Sequence, residues 1–178
     1  VTSIMDVPPQ TYRDGNRLYR NEGGGVFSDV TDIGGVRSGG FAWGASFQDF
    51  DNDGNLDIFH VNGWPVTNYI NDPANLFMSN GNGTFTEQSA ACGLVHTALG
   101  RGIACFDYDR DGDIDIFIAC NSGPSSLFRN EGGNTKNWIT VKLQDDLPNW
   151  QAIGARVYVD TGQTGPGRGR SPGDGNTL

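Results

Sequence analysis

An all-β fold is predicted by three features of this 178-residue sequence. Short apolar runs are separated by turns rich in Gly, Asn and Asp at intervals of roughly 8–12 residues, which is typical of antiparallel strands. Glycine is abundant, with 27 residues, and no window keeps the apolar period of an amphipathic helix. One long segment also occurs more than once, and repetition of short strands favours a repetitive β architecture.

The repeat has an offset of 58 residues. The segment DFDNDGNLDIF begins at Asp49, and DYDRDGDIDIF begins at Asp107. The same offset aligns LYRNEGGGVF, from Leu18, with LFMSNGNGTF, from Leu76, and a third copy, LFRNEGG, begins at Leu127. Four short strands fit in a unit of about this length, which is the content of one β-propeller blade. The sequence therefore predicts β-propeller-like blades in an open arc of about two and a half repeats.

Each unit has a fixed order of elements. A strand runs into the acidic segment, and an Ile-Phe strand follows at 58–61 and at 116–119. An LF or LY strand, a Gly-Asn turn and a strand that contains Phe27 or Phe85 come next. The acidic segment therefore lies in the connection of a β-hairpin.

The C-terminal part differs from the repeats. NWITVKL (137–143) and AIGARVYV (152–159) alternate apolar and polar residues, so we expect a pair of β-strands there. The Gly- and Pro-rich residues that follow have the composition of a flexible tail. The chain thus divides into a partial repeat, two repeats with acidic loops, a β segment and a tail, with bounds 1–48, 49–106, 107–135, 136–160 and 161–178.

The acidic segments have the spacing of a metal-binding loop, D-x-D-x-D-G-x-x-D. Positions 1, 3 and 5 supply carboxylates, Gly at position 6 permits the chain to turn back, position 7 offers its backbone carbonyl and position 9 closes the shell. Six or seven hard oxygen ligands in a flexible loop favour Ca²⁺ over Mg²⁺, so we expect two Ca²⁺ sites. The predicted ligands are Asp49, Asp51, Asp53, Asn55 and Asp57 in the first loop and Asp107, Asp109, Asp111, Asp113 and Asp115 in the second.

Two other interpretations of these loops are weaker. An EF-hand needs Glu at position 12, where this chain has His60 and Ile118. Acidic runs are also common in solvated turns, but here the pattern recurs with Gly in register. Without an ion the carboxylates would repel one another, so metal binding should be coupled to folding.

Composition restricts the class of partner. The formal net charge is −9 and the pI about 4.4, which argues against nucleic acid. No stretch has the length of a membrane span, so we expect no membrane insertion. Cys92, Cys105 and Cys120 fit either one disulfide with a free thiol or three buried thiols.

The repeats resemble the FG-GAP/VCBS family, on FQDFDNDGNLDIFHVNG, NLFMSNGNGTF and CFDYDRDGDIDIFIACNSG. The trailing NWITVKLQ and NWQAIGARVYV resemble the ASPIC/UnbV segment, which follows such repeats in relatives of cartilage acidic protein. Together the resemblances extend over about residues 15–160. They imply an extracellular, Ca²⁺-stabilised propeller-like scaffold used in adhesion or assembly.

An open arc leaves strand edges unpaired, so we expect self-association into a ring or a filament. A protein or glycan ligand is the other expected partner. In the alternative interpretation the chain is a carbohydrate-binding or carbohydrate-active propeller fragment in which Trp64 and Tyr69 contact sugar. Neither His60 nor His96 lies in a nucleophile motif, so we expect no enzyme and no catalytic residue.

Overall fold

The structure is a computed structural model that describes residues 15–146 and 148–159. Nearly all of its regular structure is β, which confirms the predicted class. One four-residue α-helix, α1 (Thr31–Gly34), and one 3-10 helix (Gly133–Thr135) are the helices of this described part. The strands are β1 (Tyr19–Gly23), β2 (Val26–Asp29), β3 (Ala42–Gln48), β4 (Asp57–Asn62), β5 (Asn75–Ser79), β6 (Phe85–Glu87), β7 (Gly100–Phe106), β8 (Asp115–Cys120) and β9 (Ser126–Phe128). The start of the predicted partial repeat and the predicted tail lie outside the described residues.

Three antiparallel sheets follow one another along the chain, in the orders β1-β2, β3-β4-β5-β6 and β7-β8-β9. The four-stranded sheet has the strand content of one complete blade. By the repeat alignment, β7, β8 and β9 correspond to β3, β4 and β5, and β1 and β2 correspond to β5 and β6. The sequence repeat is therefore a structural repeat, in keeping with an open arc of blades.

The registers of the two acidic hairpins are the same. Phe47 pairs with Ile58 where β3 meets β4, and Cys105 pairs with Ile116 where β7 meets β8. In both hairpins the last pair places an Asp on the second strand, and the acidic loop joins the two strands directly beyond that pair. A common register therefore holds both loops at equivalent ends of successive sheets.

The main core lies between the second and third sheets. It is built on fully or almost fully buried apolar side chains, including Phe59, Val61 and Ile118. A smaller cluster joins Val36, which follows α1, to Ile58 and Phe77 of the second sheet, and Leu18 and Phe85 pack against it. Alternating apolar residues of β4 contribute to both clusters, which explains why this central strand is buried along its whole length.

The third sheet approaches the second very closely at Gly100. A Cβ atom built on Gly100 would lie 2.6 Å from Cβ of Val61, so any larger residue would force the sheets apart. β7 packs against β3 and β4 at this place. Glycine at the start of the inner strand is therefore a packing requirement between blades.

The predicted pair of C-terminal strands is not formed. Within 136–146 and 148–159 the structure has turns and irregular chain but no strand. Ile139, Val141 and Tyr158 are exposed, so the alternating pattern has no apolar surface against which to bury one face. The described residues from Thr140 onward belong to a second compact unit, separate from the unit that contains the sheets. Among the described helices, none has the length and apolar character that a membrane crossing requires.

Candidate metal centre

Each acidic hairpin loop brings three carboxylates together. Oxygen atoms of Asp49, Asp51 and Asp57 lie within 4.8 Å of one another in the first loop. The corresponding residues of the second loop form an equal group, which consists of Asp107, Asp109 and Asp115. Both groups could hold a metal ion, since three hard oxygen donors converge on one point in each.

The first residue of each loop organises the turn. In the first loop, the Asp49 carboxylate accepts backbone N–H bonds from Asp53 and Gly54, at 3.0 and 2.8 Å. In the second, Asp107 accepts the equivalent bonds from Asp111 and Gly112, both at 3.1 Å. These bonds curl the backbone around the carboxylate.

The backbone of each loop passes twice through the left-handed region. Gly54 and Gly112 have φ of 86° and 98°, which side chains rarely adopt. At position 4, Asn52 and Arg110 have φ of 53° and 67°. The glycine at position 6 is thus required by the turn, as the spacing predicted.

The last carboxylate of each loop connects it to the next strand of the sheet. Asp57 is buried, with 1% exposed, and accepts backbone N–H bonds from Phe50 at 2.9 Å and from Ser79 at 2.7 Å. Asp115 accepts the equivalent bonds from Tyr108 and Asn130. Burial raises the pKa of Asp57 above its ordinary value, against the opposite effect of these bonds.

The donor set fits a divalent cation. One carboxylate oxygen of Asp51, Oδ1, is buried and has no hydrogen-bond partner in the part of the chain that the structure describes. A buried carboxylate oxygen without a partner is costly, and a hard cation is the ligand that such an oxygen prefers. Each loop also attracts one basic side chain. Lys136 Nζ lies 2.9 Å from Asp51 Oδ2, and Arg129 lies 3.6 Å from Asp109 Oδ2.

The predicted ligands at positions 5 and 7 lie outside the two carboxylate groups. Asp53 accepts hydrogen bonds from the backbone and side-chain nitrogen atoms of Asn55, and these bonds lower the pKa of Asp53. Asp111 accepts a bond from Asn134 at 2.8 Å. Asp113 is fully buried, and burial raises its pKa to about 6. Ligation by these four residues stays a prediction.

A segment outside the sequence motifs contacts both loops. After β9, Asn134 donates to Asp111, Lys136 contacts Asp51, and the indole of Trp138 lies against Gly112. One feature of the sequence indicates that this segment differs from the repeats. After its Gly-rich turn, the third copy lacks the Gly-Thr-Phe residues that end the turn and begin the next strand in the second copy.

An aromatic cluster lies at the ends of the strands opposite the acidic loops. The Trp43 and Trp64 rings stack at 5.5 Å, and Trp64 also stacks on Phe41. Tyr69 meets Phe41 edge-on, and the Arg101 guanidinium lies 4.1 Å from the centre of the Trp43 ring. Trp64, which the sequence predicted as a contact residue, remains 38% exposed within this cluster, whereas Tyr69 is half-buried.

The remaining candidate groups have structural surroundings. His60 is 1% exposed and lies in a buried polar network between Asn16 and Asn62, at 3.2 and 3.0 Å. Burial lowers its pKa to about 4. The three cysteines, Cys92, Cys105 and Cys120, are free thiols, and only the first is exposed.

The second and third sheets share one arrangement, in which short antiparallel strands carry an acidic loop in the first hairpin. This arrangement defines the chain as a β-repeat protein with acidic loops. Residues 7–60 match the model of the FG-GAP-like repeat, which confirms the resemblance inferred from the motifs. The match includes the whole first acidic loop.

Three curated proteins with similarity to this chain are cartilage acidic proteins. Cartilage acidic protein 1 of Mus musculus is 41% identical over 59 residues, which is 33% of this chain and 9% of that protein. The Xenopus tropicalis protein is 37% identical over 67 residues, 37% of this chain and 10% of the relative. The Homo sapiens protein is 39% identical over 59 residues, again 33% and 9%. The chain thus matches about a tenth of the length of these curated relatives.

Proposed function

We propose that this chain is an extracellular calcium-binding repeat module with a structural or adhesive role and no enzymatic one. The observation that carries the proposal is the recurrence of one three-carboxylate group at equivalent ends of successive sheets. The FG-GAP-like repeat and the similarity to cartilage acidic proteins support an extracellular location.

The geometry supports a role for the ion in fixing the sheet. Asp49, Asp51 and Asp57 would hold one Ca²⁺, and their counterparts in the second loop would hold the other. At separations below 4.8 Å, each pair of charged carboxylates repels by about 3–4 kcal/mol for an effective dielectric near 20. The ion would cancel this repulsion. Because Asp57 also binds the backbone of Ser79, a fixed loop in turn fixes the end of β5.

Calcium titration by calorimetry tests the proposal. We expect two sites, with dissociation constants of roughly 10⁻⁴–10⁻³ M as in extracellular modules. Asp49→Ala should remove one site and Asp107→Ala the other. Asp145→Ala, a change of an exposed acid outside both loops, serves as the matched control and should keep both sites. Equal titrations for all four proteins would overturn the proposal.

Self-association is the second part of the proposal. The outer strands β1 and β2 of the first sheet, and β9 of the third, have an edge without a strand partner in the described residues. Exposed edges favour pairing with another chain. Successive copies would join end to end and form a ring or a filament. Sedimentation across a concentration series measures this directly.

Glycan binding is a second candidate function, favoured by the partly exposed stack of Trp43 and Trp64 beside Arg101. Aromatic faces next to a polar or charged group suit the apolar face and hydroxyls of a sugar. A glycan array tests it, with Trp64→Ala as the diagnostic variant and Trp150→Ala as the control. Binding that the first change abolishes and the second preserves would support this candidate, and an array without specific binding would reject it.

A further inference from the structure

Two predicted calcium ligands, one in each acidic loop, are also bound by the segment that follows β9. Lys136 Nζ lies 2.9 Å from Asp51 Oδ2 in the first loop. The Asn134 side-chain amide donates a hydrogen bond of 2.8 Å to Asp111 Oδ2 in the second. We call residues 134–138 the connecting segment, because the second compact unit begins shortly after it. One oxygen of each of these two carboxylates is therefore bound by the chain itself.

The contact with Asn134 replaces one that the second loop cannot make by itself. In the first loop, the side-chain amide of Asn55 donates to Asp53 Oδ1 at 3.0 Å. The residue equivalent to Asn55 in the second loop is Asp113, whose carboxylate has no N–H to donate to Asp111. Asn134 supplies this donor, and its backbone N–H also binds Asp113 Oδ2, at 3.2 Å. The connecting segment thus completes the second loop.

The contact with Lys136 places a cation on a group of three carboxylates. Asp51 belongs to this group together with Asp49 and Asp57. The side chains of Lys136 and Asp51 are 44% and 42% exposed, so their ion pair is weak and is screened by salt. A divalent cation is attracted to the same carboxylates with twice the charge of the ammonium group. A calcium ion and Lys136 would therefore share a carboxylate and repel each other.

The third contact of the connecting segment is with the turn of the second loop. A Cβ atom built on Gly112 would lie 2.0 Å from Cε2 of Trp138, so the indole packs directly against bare backbone. Trp138 is nevertheless 48% exposed. An exposed ion pair, two hydrogen bonds of Asn134 and one half-exposed ring make an attachment that can open locally without unfolding of the sheets.

We propose that Lys136 is an intramolecular competitor of calcium at the first loop, and that uptake of calcium loosens the connecting segment. Asp111 lies outside the three-carboxylate group of its loop while Asn134 binds it, so its use as a ligand opposes the second attachment as well. Because linkage is reciprocal, a contact that weakens binding of the ion is itself weakened by the ion. Calcium thus acts on the link between the two units of the chain. This inference rests on the proposed calcium binding.

Calorimetric titration with calcium tests the competition. In a chain that carries Asp107→Ala, only the first loop should bind, so its affinity is measured alone. Addition of Lys136→Met should tighten this binding about two- to fivefold, which is the range for loss of an exposed ion pair. Lys142→Met, a change of an exposed lysine in the second unit, removes the same charge and is the matched control. It should leave the affinity unchanged.

Tryptic cleavage after Lys136 gives a second measurement, on the unaltered chain. Trypsin has to take the lysine side chain into its specificity pocket, so the ion pair with Asp51 protects this bond. Well below the melting temperature in chelator, calcium should raise the rate of cleavage after Lys136, relative to that after Lys142, by at least about twofold. Cleavage after Lys142 in the same digestion corrects for any effect of calcium on trypsin. The double variant Asp49→Ala with Asp107→Ala should show no such response.

The outcomes are distinct. If neither loop binds calcium, both the proposed function and this inference are wrong. If calcium binds, but Lys136→Met binds it no more tightly than Lys142→Met, or calcium leaves the cleavage ratio unchanged, the inference is wrong while calcium binding stands. Tighter binding in Lys136→Met, together with faster cleavage after Lys136 in calcium, supports the proposal.

Discussion

The side-chain amide of Asn52, in the first acidic loop, donates a hydrogen bond of 2.9 Å to the backbone carbonyl of Gly112 in the second. The same amide donates to the carbonyl of Gly133 at 3.0 Å. In the opposite direction, Asn130 donates to the carbonyl of Phe50 at 2.7 Å, and its backbone N–H binds Asp115. The two loops are therefore held by one hydrogen-bond network, and an ion bound in one loop should order the other.

The first prediction concerns this coupling. Asn52→Gly removes the amide but keeps a residue that tolerates the left-handed backbone. Loss of two hydrogen bonds should reduce the free energy of unfolding by about 1–3 kcal/mol and weaken the cooperativity of calcium binding between the two loops. Calorimetric titration and chemical unfolding measure both effects.

Arg110→Gly is the matched control, because Arg110 holds the same position and backbone conformation in the second loop. It should leave the cooperativity of calcium binding unchanged. Cooperativity as strong in Asn52→Gly as in the unaltered chain would contradict the role of Asn52.

The second prediction concerns the buried carboxylate Asp57. Its two oxygens accept two backbone N–H bonds, whereas the side-chain amide introduced by Asp57→Asn offers only one acceptor oxygen. Asp57→Asn should therefore lower stability by roughly 1–3 kcal/mol even in excess chelator, with a further loss in calcium. Asp53→Asn, a change of an exposed residue, should have a small effect in chelator. Equal stabilities of the two variants in chelator would count against this role.

The third prediction concerns ion removal. Because the carboxylates in each group repel one another at short range, excess chelator should lower the melting temperature, and calcium should restore it. The double variant Asp49→Ala with Asp107→Ala should melt at the same temperature with and without calcium. A chelator-insensitive melting curve for the unaltered chain would be the contrary result.

The fourth prediction concerns pH. The pKa of His60 falls from 6.5 to about 4 because the ring is buried. The unfolded chain thus takes up the proton first, so stability is highest above about pH 6.5 and declines as the pH falls toward about 4. The full loss is roughly 3 kcal/mol. Chemical unfolding in chelator at several pH values measures it.

The His60→Gln variant separates this effect from protonation of the acidic loops. It should be less stable than the unaltered chain near neutral pH, but the difference should shrink on acidification. A difference between the two proteins that is independent of pH would refute the assignment to His60.

The sequence predicted the parts of this fold that depend on local pattern. The strands expected at 58–61 and 116–119 are the centres of β4 and β8, and the glycines at position 6 are where the loops turn. These features follow from the alternation of apolar and polar residues and from the conformational freedom of glycine. Both are local properties of the segment concerned. The convergence of positions 1, 3 and 9 in each loop follows from the same regular spacing.

The features that the sequence did not predict depend on distant partners. Alternation at 137–143 indicates which residues could share a face of a strand, but it does not supply a sheet for that face. Lys136 lies 85 residues from Asp51 in the chain, so no local spacing relates them. Asn52, a variable position of the loop motif, takes part in the network only because the two hairpins lie side by side.

The central claim is that both acidic loops bind calcium. The most direct measurement is a crystal structure of the chain grown in calcium, with anomalous diffraction data. The account predicts one anomalous peak in each loop, within bonding distance of the Asp49, Asp51 and Asp57 oxygens in the first and of the corresponding oxygens in the second. Loops without a peak, with their carboxylates turned into solvent, would contradict it.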